Sequence, residues 1–364
     1  MALQPRRWLP PGKAGKIPRN FHRPPCVNFT GAHILSIEQF QRDDIDLLFR
    51  TADRMEPYAQ RRRMTRVLEG AILGNMFFEP STRTRISFGS AFNLLGGEVR
   101  ESVGSESSSL VKGESLRDTA RVLSGYSDVI CMRHPVAGSV AEFAEASRVP
   151  VINGGDGANE HPSQALLDLY TIQREMAARG RGIDGLRIAV IGDLKYGRTV
   201  HSLCKLLSLY RDISVVLVSP AELAMPDDYL SCLHDAGHRV SATDQLERSI
   251  AHVDIVYSTR IQEERFLDRQ QADLYRGRFR LNSAVYTQHC EPNTVIMHPL
   301  PRDSRAEANE LDTDLDDNPN LAIFRQTDNG LIVRMAMFAL ILDVADLVDT
   351  YSREVRWHNP RTQA

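Results

Sequence analysis

Apolar residues recur along this chain in two alternating rhythms. Short contiguous runs, of the length expected for strands buried on both faces, occur at Ala71–Phe78, Val129–Met132, Pro150–Asn153, Arg187–Ile191, Ile213–Val218, Ile255–Tyr257 and Thr294–Met297. Between them the apolar positions fall three and four apart, which puts them on one stripe of a helix. Ser36 followed by Gln39 has the form of a capping box and predicts a helix running through Met55. Thr84–Leu95 carries Ile86, Phe88, Ala91, Phe92 and Leu95 at helical spacing and stops at Gly96-Gly97. Further helices are expected over Ser115–Ser124, Ser163–Ala177, Thr199–Leu209 and Leu331–Val348. Strand and helix in repeated alternation predict an α/β protein with parallel sheets. The polar, Gly-rich stretch Ala178–Gly185 separates two such series, as a domain linker or as a plain connecting loop. The expected fold is therefore two doubly wound parallel-sheet lobes, with a ligand cleft where loops leave the strand C-termini. No internal repeat is present.

Composition narrows the function classes. A chain of 364 residues, 42% apolar and 25% charged, suits a globular enzyme of two moderate domains. A net charge of −3 gives no overall basic character, so no nucleic-acid partner is expected. The longest apolar stretch, beginning at Met335, is too short for a membrane span and reads as a core helix. Five scattered cysteines (Cys26, Cys131, Cys204, Cys232, Cys290) contain no Cys-x-x-Cys pair. They support neither a zinc site nor a redox motif and read as buried thiols in a reducing cytoplasm. The N-terminus alternates Arg6, Arg7, Lys13, Lys16, Arg19 and Arg23 with prolines, has no acidic residue before Glu38 and no serine before Ser36. It reads as a disordered basic extension over residues 1–31, rather than an amphipathic, Ser-rich transit peptide or a secretory signal.

Three motifs carry candidate chemistry. Phe77-Phe78-Glu79-Pro80-Ser81-Thr82-Arg83-Thr84-Arg85 runs from a strand into a helix start crowded with hydroxyl and guanidinium groups. Free backbone N–H groups and the helix dipole make such a start an anion site, and an arginine can hold a phosphate bidentately. A surface cap with salt bridges is the plainer alternative. No Walker loop is present, so ATP is not implied. Met132-Arg133-His134-Pro135 closes a strand, and Gly155-Asp156-Gly157-Ala158-Asn159-Glu160-His161-Pro162-Ser163-Gln164 leads from a Gly-rich loop into a helix. Taken singly, Arg133 fits an ion pair and His161 a loop hydrogen bond.

Together these motifs resemble the carbamoyl-phosphate site of the aspartate/ornithine carbamoyltransferase family. The resemblance covers about residues 32 to 350. It implies a carbamoyl-phosphate-binding domain over 32–162, completed by helix 331–350, an acceptor-binding domain over 163–330, and a tail over 351–364. It also implies that Ser81, Thr82, Arg83 and Thr84 hold the phosphate. Arg133, His161 and Thr84 then bind the carbamoyl oxygen and Gln164 contacts the carbamoyl nitrogen, while His134 is structural. Arg83, Thr84, Lys112, Arg133 and His161 are the catalytic set. The serine-rich loop Ser105–Glu114, which by composition alone is a solvated loop, resembles the family loop that a neighbouring subunit inserts into the active site. Ser108 or Ser109, with Lys112, then comes from that neighbour. A homotrimer with interfacial sites follows, with neither metal nor cofactor.

The second half chooses the acceptor. Gly192-Asp193-Leu194-Lys195-Tyr196-Gly197-Arg198-Thr199-Val200-His201 follows a strand without G-x-G-x-x-G, so a dinucleotide is weakly supported. Arg198 at a helix start suits a carboxylate, and Arg260 and Gln262 in Ser258-Thr259-Arg260-Ile261-Gln262 share one side of an extended loop. Aspartate has two carboxylates, which calls for two guanidinium groups. These stretches resemble the aspartate branch of the family, which implies that Arg198, Arg260, Gln262 and Lys112 bind L-aspartate. The Ser-Met-Gly and His-Cys-Leu-Pro motifs of the ornithine branch are absent. Met297-His298-Pro299-Leu300-Pro301-Arg302 resembles the loop whose carbonyls, here those of Pro299 and Leu300, accept from the carbamoyl NH2 and the attacking amine. The function implied is carbamoyl transfer from carbamoyl phosphate to L-aspartate, early in pyrimidine biosynthesis. The alternatives are a different amino-acid acceptor, or a silent homologue that serves as an assembly partner. The extension leaves room for regulatory or other pathway subunits.

Overall fold

The computed structural model describes residues 28–104, 113–263, 266 and 274–359. After a 3-10 turn at Ile37–Gln39, the first series is α1 (Arg42–Ala59), β1 (Arg63–Thr65), β2 (Ile72–Phe77), α2 (Thr82–Leu94), β3 (Glu98–Val103), α3 (Leu116–Leu123), β4 (Val129–His134), α4 (Ser139–Ala146), β5 (Val151–Asp156) and α5 (Pro162–Ala177). The second is β6 (Arg187–Ile191), α6 (Arg198–Leu207), β7 (Ser214–Val218), α7 (Asp227–Asp235), β8 (Arg239–Thr243), α8 (Leu246–Ser249), β9 (Ile255–Ser258), α9 (Ser283–His289), β10 (Val295–Met297), α10 (Ile323–Ile341) and β11 (Ser352–Glu354). The expected α/β fold with two parallel-sheet lobes is what the chain forms. One sheet has the order β3-β2-β4-β5 and the other β10-β9-β6-β7-β8, and every pairing within them is parallel.

Both strand orders reverse direction once, between β2 and β4 in the first sheet and between β6 and β9 in the second. At such a point the following loops diverge to opposite faces and leave a crevice beyond the strand C-termini. At these two crevices lie Glu79–Arg83, spanning the loop after β2 and the start of α2, Arg133-His134 at the end of β4, Gly192–Arg198, spanning the loop after β6 and the start of α6, and Thr259–Gln262 after β9.

Alternation within the strands explains the layering. Val129 and Cys131 face the large core beneath α1, α2, α5 and α10, while Ile130 and Met132 face a second core beneath α3 and α4. In the other sheet Ile188 and Val190 join the large core, and Ala189 and Ile191 face a third, beneath α8 and α9. The large core therefore runs through both lobes. Helix α10 packs on α1, α2 and α5, so residues near the C-terminus close over the first lobe.

Two expected helices differ from the structure. The Ser36–Gln39 capping box forms, but it closes only a 3-10 turn, and the chain is extended at Phe40 and Gln41 before α1 starts at Arg42. The Glu160 carboxylate accepts from the Ile37 amide (2.8 Å) and the Ser36 hydroxyl (2.9 Å), drawing this turn onto the first lobe. The C-terminal helix begins at Ile323 rather than Leu331 and ends at Ile341 rather than Val348. Its first turns looked polar because Gln326 and Asn329 are buried through hydrogen bonds to Asp168 and Thr171 rather than through apolar contact. It stops where Asp343 takes φ +56° and the Val344 amide bonds back to the Ala339 carbonyl. Strands β3 and β8 escaped the apolar pattern because both are sheet edges with largely exposed, polar side chains. Residues 352–354 of the tail pair antiparallel with Arg63–Thr65. Among the described residues no helix is long and apolar enough to cross a membrane.

Gly192 shows how tightly the second crevice is built. Its φ is +117°, and a Cβ there would stand 2.1 Å from the Thr259 carbonyl oxygen. Gly192→Ala therefore combines backbone strain with a clash against main chain. The expected loss is about 2 kcal/mol or more in urea unfolding; an unchanged midpoint would show that the two turns are not packed in this way.

Candidate active site

The first wall of the site is the start of α2. Ser81 occupies the N-cap without using its side chain as a cap, and no acidic residue lies in the first turn. Amide donors and the positive end of the dipole are thus left facing the crevice, which favours an anion. Thr84 is buried in the first turn, and Ser81, Thr82 and Arg83 are more exposed. The Arg83 guanidinium is pulled below its ordinary range, first by the protein around it and then by the charge of Arg260. Among the described residues Arg83 has no carboxylate partner.

Arg133 and Arg198 approach from opposite lobes and share Glu79, whose Oε2 lies 3.1 Å from Arg133 Nε and 3.5 Å from Arg198 Nη1. Arg133 also donates to the Gly154 carbonyl (3.3 Å) and Arg198 to that of Gly157. Gly155 lies against both, with φ +117° and its missing Cβ position 3.1 Å from Arg133 Nη1 and 3.3 Å from Arg198 Cζ. Glycine is what lets the β5 turn come this close to two guanidinium groups.

His161 is the N-cap of α5, followed by Pro162 at the first helical position. It is buried, its Nδ1 lies 3.4 Å from Ser163 Oγ, and its Nε2 has no partner among the described residues. Burial, then the charges of Arg198, Arg133 and Arg334, holds this imidazole well below its usual range. A neutral ring whose Nδ1 accepts from Ser163 carries its proton on Nε2, available to a substrate oxygen. The preceding residue, Glu160, takes Lys205 of α6 at 2.8 Å, and Lys205 also reaches Glu38 at 2.7 Å. That ion-pair group ties the second lobe to the loop that carries His161.

Gln164 donates from Nε2 to Asp168 Oδ1 (2.9 Å). Burial pushes the Asp168 carboxyl up to about 6, against the pull of Tyr257, Gln326, Gln164 and Arg334, so it is ionised above neutral pH. In the second lobe, Asp193 Oδ2 accepts from the Gln262 amide (3.1 Å) and its Oδ1 from the Tyr196 amide (3.0 Å), holding the two turns of the crevice together. Arg260 Nη1 bonds to the Ile261 carbonyl (3.1 Å), and Gln262 Nε2 to the Arg260 carbonyl (3.4 Å). Pro299 and Leu300 lie just beyond β10, where the Leu300 amide donates to His298 Nδ1 (2.8 Å) and the His298 amide to Gln326 Oε1 (3.0 Å). His134 turns away to accept from the Val136 amide (3.1 Å).

The structure thus brings Arg133, His161 and Arg198 together beside Glu79, and sets Arg83 within range of the charge of Arg260. It links Gln164 to the Pro299-Leu300 turn through Asp168 and Gln326. Ser108, Ser109 and Lys112 lie outside the described residues, as do Cys26 and the basic extension up to residue 27. Sequence reasoning missed Glu79, Glu160 and Asp168. Glu79 and Glu160 sit inside the quoted motifs, and Asp168 is one helical turn after Gln164, which was the available signal. Among the described residues no cluster of His, Cys, Asp and Glu could hold a metal ion.

Comparison with known proteins places the chain in a family. The family model described as aspartate/ornithine carbamoyltransferase, carbamoyl-P binding domain, matches residues 32–174, and the Asp/Orn binding domain of the same family matches 184–341. The aspartate carbamoyltransferase catalytic subunit of Cellvibrio japonicus is 77% identical over 91% of this chain and 98% of its own length. That of Saccharophagus degradans is 74% identical over 92% of this chain and 100% of its own. Among solved structures, aspartate transcarbamoylase from Trypanosoma cruzi in complex with carbamoyl phosphate is 39% identical, with a TM-score of 0.80 over 88% of this chain and 99% of that one. The chain belongs to the aspartate/ornithine carbamoyltransferase family.

The depressed His161 makes a checkable statement. A histidine whose folded value lies below its unfolded one gives stability that is full above about 6.5 and is lost as pH falls below it. In NMR spectra the His161 ring resonances should stay at neutral-imidazole positions as pH falls through about 6.5; a titration near 6.5 would contradict the burial and charge described.

Proposed function

We propose that this protein transfers the carbamoyl group of carbamoyl phosphate to the amine of L-aspartate, giving N-carbamoyl-L-aspartate and phosphate, an early step of de novo pyrimidine biosynthesis. The observation that carries the reading is the cation pattern. Arg83 and the α2 N-terminus come from the first lobe, and Arg198 and Arg260 come from the second, in a chain 77% identical over 91% of its length to an aspartate carbamoyltransferase catalytic subunit. A phosphate suits the first side and a dicarboxylate the second. Ornithine, with its side-chain amine, would meet like charge at Arg198 and Arg260.

The residue roles are those that the family resemblance implies, and they suit the chemistry. Ser81, Thr82, Arg83 and Thr84 hold the phosphate, and Arg83 meets the charge that grows on it as the carbonyl C–O bond breaks. Arg133, Thr84 and His161 Nε2 donate to the carbamoyl oxygen, where charge collects when the amine attacks. Gln164 and the carbonyls of Pro299 and Leu300 accept from the carbamoyl NH2 and the incoming amine. Arg198, Arg260 and Gln262 orient the aspartate carboxylates. The new bond is N–C, the departing group is phosphate, and it carries away the amine proton. Glu79 offsets part of the charge of Arg133 and Arg198. Holding both reactants in line is worth on the order of 7–11 kcal/mol in oriented reactions.

The assembly that fits is a homotrimer in which Ser108 or Ser109 and Lys112 of a neighbouring subunit complete the cleft. Thiols at Cys131, Cys204, Cys232 and Cys290 are free, which suits a reducing cytoplasm.

The test is product formation by the purified protein from carbamoyl phosphate with L-aspartate, and with L-ornithine in parallel. Turnover with aspartate only is expected. Absence of turnover in a folded trimer would favour the silent assembly partner instead. Arg260→Ala should raise the aspartate KM and lower kcat, with kcat/KM falling about 10- to 100-fold, the size of a lost charge-assisted hydrogen bond. Unchanged aspartate kinetics would remove Arg260 from the site.

A further inference from the structure

Asp168 is fully buried between the two lobes and α10, and short hydrogen bonds reach it from three directions. Its Oδ1 accepts from Gln164 Nε2 of the same helix at 2.9 Å and from Gln326 Nε2 of α10 at 2.6 Å. Its Oδ2 accepts from the hydroxyl of Tyr257, on β9, at 2.6 Å. An ionised carboxylate accepts and cannot donate, whereas a carboxamide has a donor end and an acceptor end fixed in one plane. A carboxylate touching two glutamines therefore turns both NH2 groups toward itself and both carbonyl oxygens away. The consequence is visible at Gln326, whose Oε1 accepts the His298 amide at 3.0 Å. His298 Nδ1 in turn accepts the Leu300 amide at 2.8 Å, which fixes the donor side of the Pro299-Leu300 turn inward against His298.

We propose that Asp168 is a positioning residue that sets the hydrogen-bond polarity of the pocket receiving the carbamoyl NH2. It holds Gln164 Oε1 as an acceptor and, through Gln326 and His298, fixes the turn whose Pro299 and Leu300 carbonyls are the other acceptors. This rests on the carbamoyl-transfer reading above. A pocket made only of acceptors recognises a group that donates two hydrogens, and it penalises a methyl in the same place because its buried carbonyls are left unpaired. Asp168 therefore underlies the preference for a carbamoyl donor over an acetyl donor, which has the same phosphate and carbonyl but CH3 in place of NH2. Nothing in this role asks Asp168 to touch substrate or move a proton.

The experiment compares carbamoyl phosphate with acetyl phosphate as donors to L-aspartate, as a ratio of kcat/KM values. In Asp168→Ala the two amides are released, and the ratio should fall about tenfold or more. Asp168→Asn should keep most of it, because the asparagine carbonyl can still accept from both glutamines while its NH2 faces the Tyr257 oxygen. A folded Asp168→Ala enzyme whose ratio equals that of the wild type overturns the proposal, even if both rates have dropped, since a purely structural role lowers both together. Should Asp168→Ala fail to fold, Gln326→Leu leaves the carboxylate and its bond to Gln164 in place and cuts only the branch to His298. It must still narrow the ratio, by a smaller factor, and an unchanged ratio there overturns the proposal as well. A wild-type protein with no carbamoyl transfer to aspartate refutes the function itself, whereas an active wild type with unaltered variant ratios refutes only the role of Asp168.

Discussion

Four guanidinium groups, on Arg83, Arg133, Arg198 and Arg260, emerge where the C-terminal ends of two parallel sheets meet, and holding that like charge together is the constraint the rest of the fold answers. Brought this close, such groups repel and lose water, and the lowered Arg83 shows both effects. Glu79 relieves part of it by sitting between Arg133 and Arg198. Cations gathered at the strand ends favour substrates that carry negative charge. Placing cations that approach substrate from several sides, rather than one nucleophile or base, suits a reaction in which one oxygen gains charge and a phosphate departs.

Rigid backbone makes the placement possible. The arginines come from strand ends, helix starts and a loop around the two points where strand order reverses; Gly192 allows an approach that a Cβ would forbid, and Gly155 takes a φ of +117° close against two of the guanidinium groups. Behind them, polar residues are buried as connectors: Asp193 joins the β6 and β9 turns, Asp168 joins α5, β9 and α10, and Glu160 with Lys205 joins the His161 loop to α6. Each is satisfied by short hydrogen bonds, as a buried charge requires. With one large apolar core continuous through both lobes, these links hold the two lobes to each other.

The sequence made the central strands and the catalytic loops legible, and for related reasons. Strands such as Arg187–Ile191 are buried on both faces and so read as unbroken apolar runs, and the loops after them hold glycine, hydroxyl and arginine in orders that few structural motifs need. Edge strands β3 and β8 did not stand out, because a half-exposed strand keeps polar side chains. The start of α10 was hidden for a different reason: Gln326 and Asn329 look like surface residues but are buried through polar bonds, which periodicity does not register. Asp168 and Glu160 escaped on the same ground. Their importance lies in partners more than a hundred positions away, such as Gln326 for Asp168 and Ser36 for Glu160, and local pattern carries no trace of such pairs.

The most direct test of the account is calorimetric, using a bisubstrate molecule that joins a phosphonate to L-aspartate at the spacing of the two substrates, set against phosphonoacetate and succinate measured separately. If the two cationic walls face one cleft, the joined molecule should bind at least about 100-fold more tightly than either half, because the second contact becomes intramolecular. Binding no tighter than phosphonoacetate alone would mean that Arg198 and Arg260 do not face the phosphate site, and the central claim would fall.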